Sequence, residues 1–394
     1  MTASSPPKSG ANLFADETLR DPYPLYRELR AQGPAVYMES LDAWALPRYD
    51  EVRTALSDWR LYSSEDGVAF NNQMCEHQKP TIQCIPPPQH DYVRGLMTER
   101  ISPKVLRDLE PHIRAKAEAL AGAAVAMGEF DAIEVLAKAF PLMIVTEMIG
   151  LPDYASAHLI EWGDNAFQAA GPLNDRCVAG FPVVQSMFEY LLSLGADDFS
   201  PGGLGEKMFG AARRGQLAHE EVLPLLFSFT GPAIDTTVSA IGHAIWRFAQ
   251  HPDQWQAIRD DPGLIPGALT EVLRMDAPIQ LFTRKLSEAA TVGGIDLEAG
   301  TRVIVMYGSA NRDERHYAEP DTFDIKRDAI DHLSFGYGLH GCVGQGLARL
   351  EVQALIGALA KRVVAFHGEN LERPARHLNN LVRSIESLPV SARV

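Results

Sequence analysis

The longest apolar pattern in the chain constrains the fold more than any other feature. Residues 219–251 read HEEVLPLLFSFTGPAIDTTVSAIGHAIWRFAQH. They open with acidic residues and a proline in the first turns and stop before Pro252, which predicts one long helix. At about 1.5 Å per residue this helix spans roughly 40–50 Å, the width of a whole domain. Because the pattern is apolar on nearly all sides, the helix should lie in the centre of the fold.

The other segments predict a mainly helical chain with a minor β part. Helical spacing recurs in 102–126, in 131–150, in DDPGLIPGALTEVLRMDAP and after Cys342, whereas AWAL and TVGGIDLEAGTRVIVMYG predict short strands. Residues 62–90 have no sustained period and contain three consecutive prolines, so we expect a long irregular loop with a function there. Residues 1–20 are expected to form a loose tail, and residues 21–394 a single domain.

Composition argues against two kinds of partner. The formal net charge of −15 disfavours binding to nucleic acid, which needs a basic surface. No apolar run reaches the ~18 residues that a membrane span needs, and the first residues lack the charged-then-apolar pattern of a secretion signal. We therefore expect a soluble, cytoplasmic protein that binds neither nucleic acid nor membrane.

The stretch SFGYGLHGCVG (334–344) places four glycines, a histidine and a cysteine just before a predicted helix. A cysteine at a helix start lies where the helix dipole and free N–H groups favour a thiolate. Glycines allow tight turns and close approach to a flat ligand, and a thiolate held in this way is a good axial ligand for haem iron. Two alternatives are a structural cysteine in a glycine-rich turn, and a zinc site with His340 and Cys342 that lacks partners at metal-finger spacing.

FGYGLHGCVG resembles the haem-thiolate signature of the cytochromes P-450: Phe, Gly, any, Gly, any, His, any, Cys, any, Gly. Every specified position matches, namely Phe335, Gly336, Gly338, His340, Cys342 and Gly344. The resemblance implies the cytochrome P-450 fold, a helical bundle around haem b with small β-sheets. It also implies that Cys342 binds the iron, that Phe335 shields the sulfur, and that His340 reaches a haem propionate.

Three further stretches are similar to motifs of the same family. EVLR contains Glu271 and Arg274 at the spacing of the family's buried E-x-x-R pair, although the same spacing also gives an ordinary surface ion pair. PPPQHDYVR and IQLFTR place His90, Arg94 and Arg284 where the family has propionate partners. Departures from the family pattern include the missing acidic residue before the double proline. Thr322 also stands where an arginine usually joins the E-x-x-R pair, and Arg327 is a candidate substitute.

PAIDTT (232–237) resembles the family's acid–alcohol motif and falls midway along the long helix. The resemblance implies that Asp235 and Thr236 deliver protons during oxygen activation. An aspartate in an apolar helix is costly to bury without a function, although both side chains could simply bond back to the helix backbone. Pro232 replaces the usual alanine and lacks an N–H, so we expect a kink or bulge there.

The resemblance also implies a substrate pocket whose walls are apolar or small, although most such residues in any protein are plain core. The implied pocket residues are Val68, Phe70, Ile82, Phe167, Phe229, Ala233, Thr236, Ile279, Leu281 and Phe282. GPLN (171–174), YGSANRD (307–313), CVGQGLARLE and LNNLVRSIESLPV look closer to the para-methoxybenzoate-type aromatic O-demethylases. That subgroup implies a basic residue for a substrate carboxylate, and Lys79 or His77 is the candidate, although a loop lysine is usually a solvated surface charge.

The expected function is that of a soluble bacterial haem-thiolate monooxygenase, which inserts one oxygen atom of O2 into a small aromatic substrate by O-demethylation or hydroxylation. Electrons would come from NAD(P)H through ferredoxin reductase and ferredoxin, which would dock on the basic segment 94–114, containing Arg94, Arg100, Lys104, Arg107 and Arg114. The alternatives are hydroxylation of a terpenoid or other small neutral ring, and a haem sensor without turnover. The intact Asp235–Thr236 pair argues against the sensor, because binding a gas needs no proton relay.

Overall fold

Helices make up most of the fold in the computed structural model, which describes residues 6–99 and 101–393 apart from the side chains of Leu223 and Phe229. A π-helix, Ile133–Lys138, leads directly into α7, and single 3-10 turns lie at Ala196–Asp198, Pro262–Leu264 and Gly338–His340. The α-helices in chain order are α1 Asp16–Arg20, α2 Tyr23–Gln32, α3 Tyr49–Ser57, α4 Asn72–Gln78, α5 Gln89–Thr98, α6 Pro103–Met127, α7 Ala139–Ile149, α8 Asp153–Ala169, α9 Asp175–Ser193, α10 Leu204–Arg213, α11 His219–Gln250, α12 Pro252–Asp260, α13 Ile265–Met275, α14 Tyr307–Ala310 and α15 Gln345–Ala360.

The long apolar pattern forms α11, which lies at the centre of the helical part as predicted. It packs against the π-helix, α7, α8, α10, α13 and α15. Ile234, Ile241 and Ile245 on this helix are fully buried. The helix continues through Pro232 without interruption, so a bulge is not present, and the kink stays a prediction. Packing against several neighbouring elements supports the helical backbone where the proline removes one hydrogen bond.

Short strands form four small sheets at the margins of the helical bundle. The largest has the order β1-β2-β3-β9-β6-β4, and the others are β10-β13-β5, β11-β12 and β7-β8. Strand β9 pairs in parallel with β3 and antiparallel with β6. The strands are β1 Lys8–Ser9, β2 Val36–Met38, β3 Ala43–Leu46, β4 Tyr62–Ser63, β5 Glu129–Asp131, β6 Phe282–Leu286, β7 Ala290–Val292, β8 Ile295–Leu297, β9 Arg302–Val305, β10 Ala365–His367, β11 Ala375–Leu378, β12 Arg383–Ser387 and β13 Pro389–Arg393.

The predicted loose tail is wrong for residues 6–20; residues 1–5 lie outside the described part. Strand β1 pairs in parallel with β2, and α1 follows it. Leu13 and Phe14 are only 1% and 3% exposed. Burial of two large apolar side chains offsets the entropy of ordering a short polar segment. The single-domain organisation of 21–394 stays a prediction; Val394 lies outside the described residues.

The segment 62–90 is only partly the irregular loop that its sequence predicts. Strand β4 begins it and α4 occupies its middle. The Asn71 side chain caps α4 by accepting a hydrogen bond of 2.9 Å from the Met74 N–H, and Met74 and Cys75 are buried. Two turns of helix are too short to give a readable period, and the fold rather than the local pattern decides them.

Candidate active site

The cysteine loop closes on itself just before α15. The Cys342 N–H donates to the Phe335 carbonyl at 2.7 Å, and the Gly341 N–H to the Gly338 carbonyl at 3.1 Å. Gly336 and Gly338 have φ angles of +68° and +71°, which L side chains rarely adopt. A Cβ on Gly338 would also lie 2.5 Å from the Leu56 carbonyl oxygen. These glycines are therefore required for the tight turn that presents the cysteine.

The Cys342 side chain faces a cavity of about 290 Å³ that lies against α11 and α15. Cys75, Cys84 and Cys177 are buried and do not line this cavity. Burial raises the pKa of the Cys342 thiol, while the N–H groups of Gly344 and Gln345 and the charge of Arg94 act to lower it. These donors at the start of α15 are the groups that stabilise a thiolate.

A basic group, His90, Arg94, Arg284 and His340, lines the same cavity. A fifth basic residue, Arg349, also lines it, with its guanidinium 4.9 Å from the centre of the Phe335 ring. The two imidazole rings are 5.0 Å apart, edge to face. Arg94 donates to the Leu339 carbonyl of the cysteine loop at 3.4 Å, and Arg284 to the carbonyl of Thr283 at 2.7 Å. Burial, with the charges of Arg284 and His90, lowers the pKa of His340 to about 3, so this ring is neutral at pH 7.

Two ring nitrogens in this group, His90 Nε2 and His340 Nδ1, are buried and have no hydrogen-bond partner within residues 6–99 and 101–393. Buried polar atoms are rarely left unsatisfied, so such atoms beside two guanidinium groups point to an anionic ligand. A sulfur donor at one side and donors for carboxylates at the other fit haem b and its two propionates. The residues present therefore fit the group.

The acid–alcohol pair on α11 is divided between the cavity and the neighbouring helix. Thr236 lines the cavity, and its hydroxyl donates to the Pro232 carbonyl at 2.9 Å. Its oxygen therefore keeps lone pairs that can accept a hydrogen bond. Asp235 is 9% exposed and does not line the cavity. Burial, and secondarily the charge of Asp164, raises the pKa of Asp235 well above its ordinary range.

Comparison with known proteins identifies the family. A family model described as Cytochrome P450 matches residues 264–364. Cytochrome p450 CYP199A2 of Rhodopseudomonas palustris is 32% identical over 391 residues, covering 98% of this chain and 94% of the relative. The chain belongs to the cytochrome P450 family. The cytochrome P450 monooxygenase PikC of Streptomyces venezuelae is 30% identical, covering 99% of this chain and 95% of the relative.

Solved structures agree with this cytochrome P450 assignment. Cytochrome P450 CREJ, in complex with (4-ethylphenyl) dihydrogen phosphate, has a TM-score of 0.86 at 28% identity, covering 98% of this chain and 99% of that one. The predicted fold, a mainly α cytochrome P450 with small sheets, is confirmed. The family uses haem b with a cysteine thiolate as axial ligand and acts as an oxidoreductase. In the part of the chain that the structure describes, no helix is long and apolar enough to cross a membrane.

The E-x-x-R pair of this P450 is fully buried. Arg274 donates to both carboxylate oxygens of Glu271, at 2.7 and 2.8 Å. Arg327 adds a third bond to Glu271 at 3.2 Å, and the Asp324 N–H a fourth at 3.1 Å. Arg327 therefore takes the place of the arginine that is missing at Thr322.

Most, but not all, of the residues proposed for the pocket line the cavity. Those that line it are Val68, Ile82, Phe167, Ala233, Thr236, Ile279 and Phe282, and from the haem-binding group Phe335, Gly336 and Gly344.

Three proposed pocket residues lie elsewhere. Phe70 packs edge to face on Phe14 at 4.9 Å, and Leu281 is buried in the core. The Lys79 ammonium pairs with Glu76 at 2.6 Å and is 40% exposed. The side chain of Phe229 and the whole of Arg100 lie outside the described residues.

Sequence reasoning missed other residues of the cavity wall. They include the aromatic residues Phe227 and Tyr307, the neutral polar residues Thr81, Gln83, Ser228, Thr237 and Ser334, and the charged residues Arg349 and Glu351. Ser228 lies two helical turns before Thr236, so the i, i+4, i+8 spacing of α11 was a usable signal. No comparable signal marked Thr81 and Gln83, because they lie in the irregular part of 62–90.

Proposed function

We propose that this P450 is a monooxygenase that oxidises a small, uncharged aromatic substrate, by O-demethylation or hydroxylation, with electrons supplied by ferredoxin. One observation carries the substrate class. Apart from the propionate-binding group, and Arg349 and Glu351 on α15 beside the cysteine loop, the side chains that line the cavity are uncharged, and most of them are aromatic or aliphatic. Apolar walls bind and orient a ring mainly through the area they remove from water.

The axial ligand that we assign is Cys342, since it is the cysteine that faces the cavity. In the haem-loaded protein reduced under carbon monoxide, the parent should show the red-shifted Soret band of thiolate ligation, and Cys342→Ser should lose it. Retention of that band in the variant would overturn the assignment. Cys84→Ser is a matched control, because Cys84 is buried outside the cavity.

Bound haem would supply oxygen activation. The protein's own groups would position the haem and the substrate, exclude water and deliver protons. His90, His340, Arg94 and Arg284 would hold the propionates. The Thr236 oxygen can accept a hydrogen bond inside the cavity, and Asp235 can hold a proton one residue away. Positioned proton transfer of this kind contributes typically ~10²–10⁴ in rate.

The charge of the substrate follows from the position of Lys79. Its ammonium pairs with Glu76 outside the cavity wall, and the His77 ring stacks on Phe188 at 5.7 Å. A substrate carboxylate would then enter the apolar part of the cavity, away from the propionate-binding group and the cysteine loop, without a cationic partner, which is strongly unfavourable. Cytochrome P450 CREJ, solved with an aryl phosphate, supports an aryl group but not a particular charge for this chain.

A matched ligand pair tests this proposal. Methyl 4-methoxybenzoate and 4-methoxybenzoate share ring and methoxy group and differ in charge and in one ester methyl group, whose burial contributes about 0.8 kcal/mol. In the haem-loaded protein the ester should shift the iron to high spin with a Kd at least ~10-fold lower than that of the acid, the equivalent of about 1.4 kcal/mol. Tighter binding of the acid, weakened by Lys79→Ala, would contradict the proposal, and a spin shift with terpenes alone would favour the terpenoid alternative.

We place the ferredoxin-binding surface on α6, because α6 packs against α15, the helix that follows the cysteine loop. Lys104 and Arg107 on α6 are exposed. Arg114 is paired with Glu110 at 2.7 Å, and Arg94 is directed at the loop carbonyl rather than at solvent. The exposed pair is therefore the part of the basic segment that can steer an acidic partner.

A further inference from the structure

The carboxyl group of Asp235 faces helix α8, on the side away from the cavity wall. A Cβ added to Gly163 would lie 2.5 Å from Asp235 Oδ2, so α8 has room for this carboxyl only because residue 163 is glycine. Oδ2 is buried and has no hydrogen-bond partner in the described part of the chain. The unpartnered oxygen of Asp235 therefore lies against α8.

The next residue on α8, Asp164, belongs to a polar cluster that opens to solvent. His377 Nε2 lies 2.6 Å from Asp164 Oδ1, and the Asn379 amide donates to the same oxygen at 2.8 Å. Asp164 and His377 side chains are 27% and 41% exposed. The second oxygen, Asp164 Oδ2, makes no hydrogen bond within residues 6–99 and 101–393. Exposure therefore falls from His377 through Asp164 to Asp235, and the charge of Asp164 acts to raise the pKa of Asp235.

The other charged groups around these three residues come from two neighbouring elements. Lys138 on the π-helix pairs with Glu134 and acts to lower the pKa values of Asp235 and His377. Glu386 on β12 acts to raise the pKa of His377, but the hydrogen bond that His377 donates to Asp164 is the main cause of the rise. His377 therefore keeps its proton to a higher pH than an ordinary histidine.

We propose that His377 and Asp164 form the surface end of a proton path to Asp235. The His377 imidazolium passes its Nε2 proton to the Asp164 carboxylate and keeps the N–H electron pair on Nε2. The Asp164 carboxyl, now protonated on Oδ1, turns its O–H toward α11; the Asp235 carboxylate accepts this proton as the Asp164 O–H bond breaks, and bulk water reprotonates His377. Both residues act through Asp235 and do not touch the reacting atoms. The inference rests on the proposed role of Asp235 in proton delivery.

Infrared spectroscopy of the substrate-free ferric holoenzyme tests the path without turnover. The carbonyl band of protonated Asp235 is assigned by its loss in Asp235→Asn, and its shift is followed after rapid mixing with D2O. Glutamine can keep a hydrogen bond to Asp164 but cannot carry the proton, so His377→Gln should slow the exchange at least ~10-fold. The parent's exchange rate should fall as pH rises through the pKa of His377, and the variant should lose this pH dependence.

Two further variants distinguish proton transfer along this path from a purely structural hydrogen bond between β11 and α8. Asp164→Asn should slow the exchange and also lower the pH at which the Asp235 band titrates, because a negative charge is removed. His112→Gln is the matched control, since His112 pairs with Glu147 on α7 at 2.9 Å and should leave exchange unchanged. Parental exchange rates in both His377→Gln and Asp164→Asn, or no band that depends on Asp235, would overturn the proposal. The proposed monooxygenase function is tested separately, by coupling in Thr236→Ala.

Discussion

Replacement of Arg327 should destabilise this P450 more than replacement of an ordinary surface arginine. The Arg327 guanidinium donates to Glu271 at 3.2 Å and to the carbonyl oxygens of Ala318, Glu319 and Thr322 at 2.6, 3.1 and 3.3 Å. The Glu271 carboxylate is fully buried, whereas the side chain of Arg327 is 14% exposed. One end of this interaction is therefore completely desolvated.

The magnitude follows from these contacts. A hydrogen bond between charged groups contributes about 1.5–3 kcal/mol, and carbonyl bonds near the surface add a few tenths each because water can replace them. Glu271 keeps both bonds from Arg274, so the loss stays below the ~3–5 kcal/mol expected for breaking a buried pair entirely. We expect Arg327→Met to lower the free energy of unfolding by about 3 kcal/mol.

Urea unfolding of the haem-loaded protein, followed by circular dichroism and the Soret band together, measures this loss. Arg327→Lys keeps the charge but not the planar fork, and should lose about half as much stability. A cycle with Glu271→Gln should give a coupling energy of about 0.5–3 kcal/mol between the two residues. A loss below about 0.5 kcal/mol in Arg327→Met, or additive effects in the cycle, would refute the reasoning.

Thr236→Ala should retain the substrate-induced spin shift and NADH consumption but release hydrogen peroxide in place of product, because a proton-positioning hydroxyl is lost; equal product per NADH would contradict the relay. Although burial acts to raise it, the charges of Arg247 and other neighbours hold the pKa of Asp276 well below its ordinary 3.8. The ionised Asp276 carboxylate therefore stabilises the folded protein fully above pH 3.8, and this stabilisation is lost as the pH falls through the pKa of Asp276 in the folded state. Asp276→Asn should cost about 3–5 kcal/mol at pH 7 and progressively less below pH 3.8, as acid unfolding curves of both proteins would show. The double substitution Lys104→Glu with Arg107→Glu should slow reduction by ferredoxin at low salt and weaken its ionic-strength dependence; rates equal to the parent at all salt concentrations would exclude this docking surface.

The sequence by itself determined those features in which neighbours in the chain are also neighbours in space. The glycines and the cysteine of 334–344 form one closed turn, and positive φ at Gly336 and Gly338 explains why the residue types there are fixed. The apolar period of 219–251 predicted a central helix, because a helix without a polar side must be buried. Glu271 and Arg274 lie one turn apart, so their pairing was also readable.

Tertiary structure alone decided contacts between distant segments. Asp164 and His377 are 213 positions apart, and only the packing of β11 near α8 brings them within 2.6 Å. Arg327 could be suspected as the third partner of Glu271, but its position depends on a loop without a local pattern. The ordering of residues 6–20, the short helix α4 and the exclusion of Lys79 from the cavity have the same cause. Each of these features depends on the distant part of the chain that buries the segment. The local sequence pattern contains no information about that distant part.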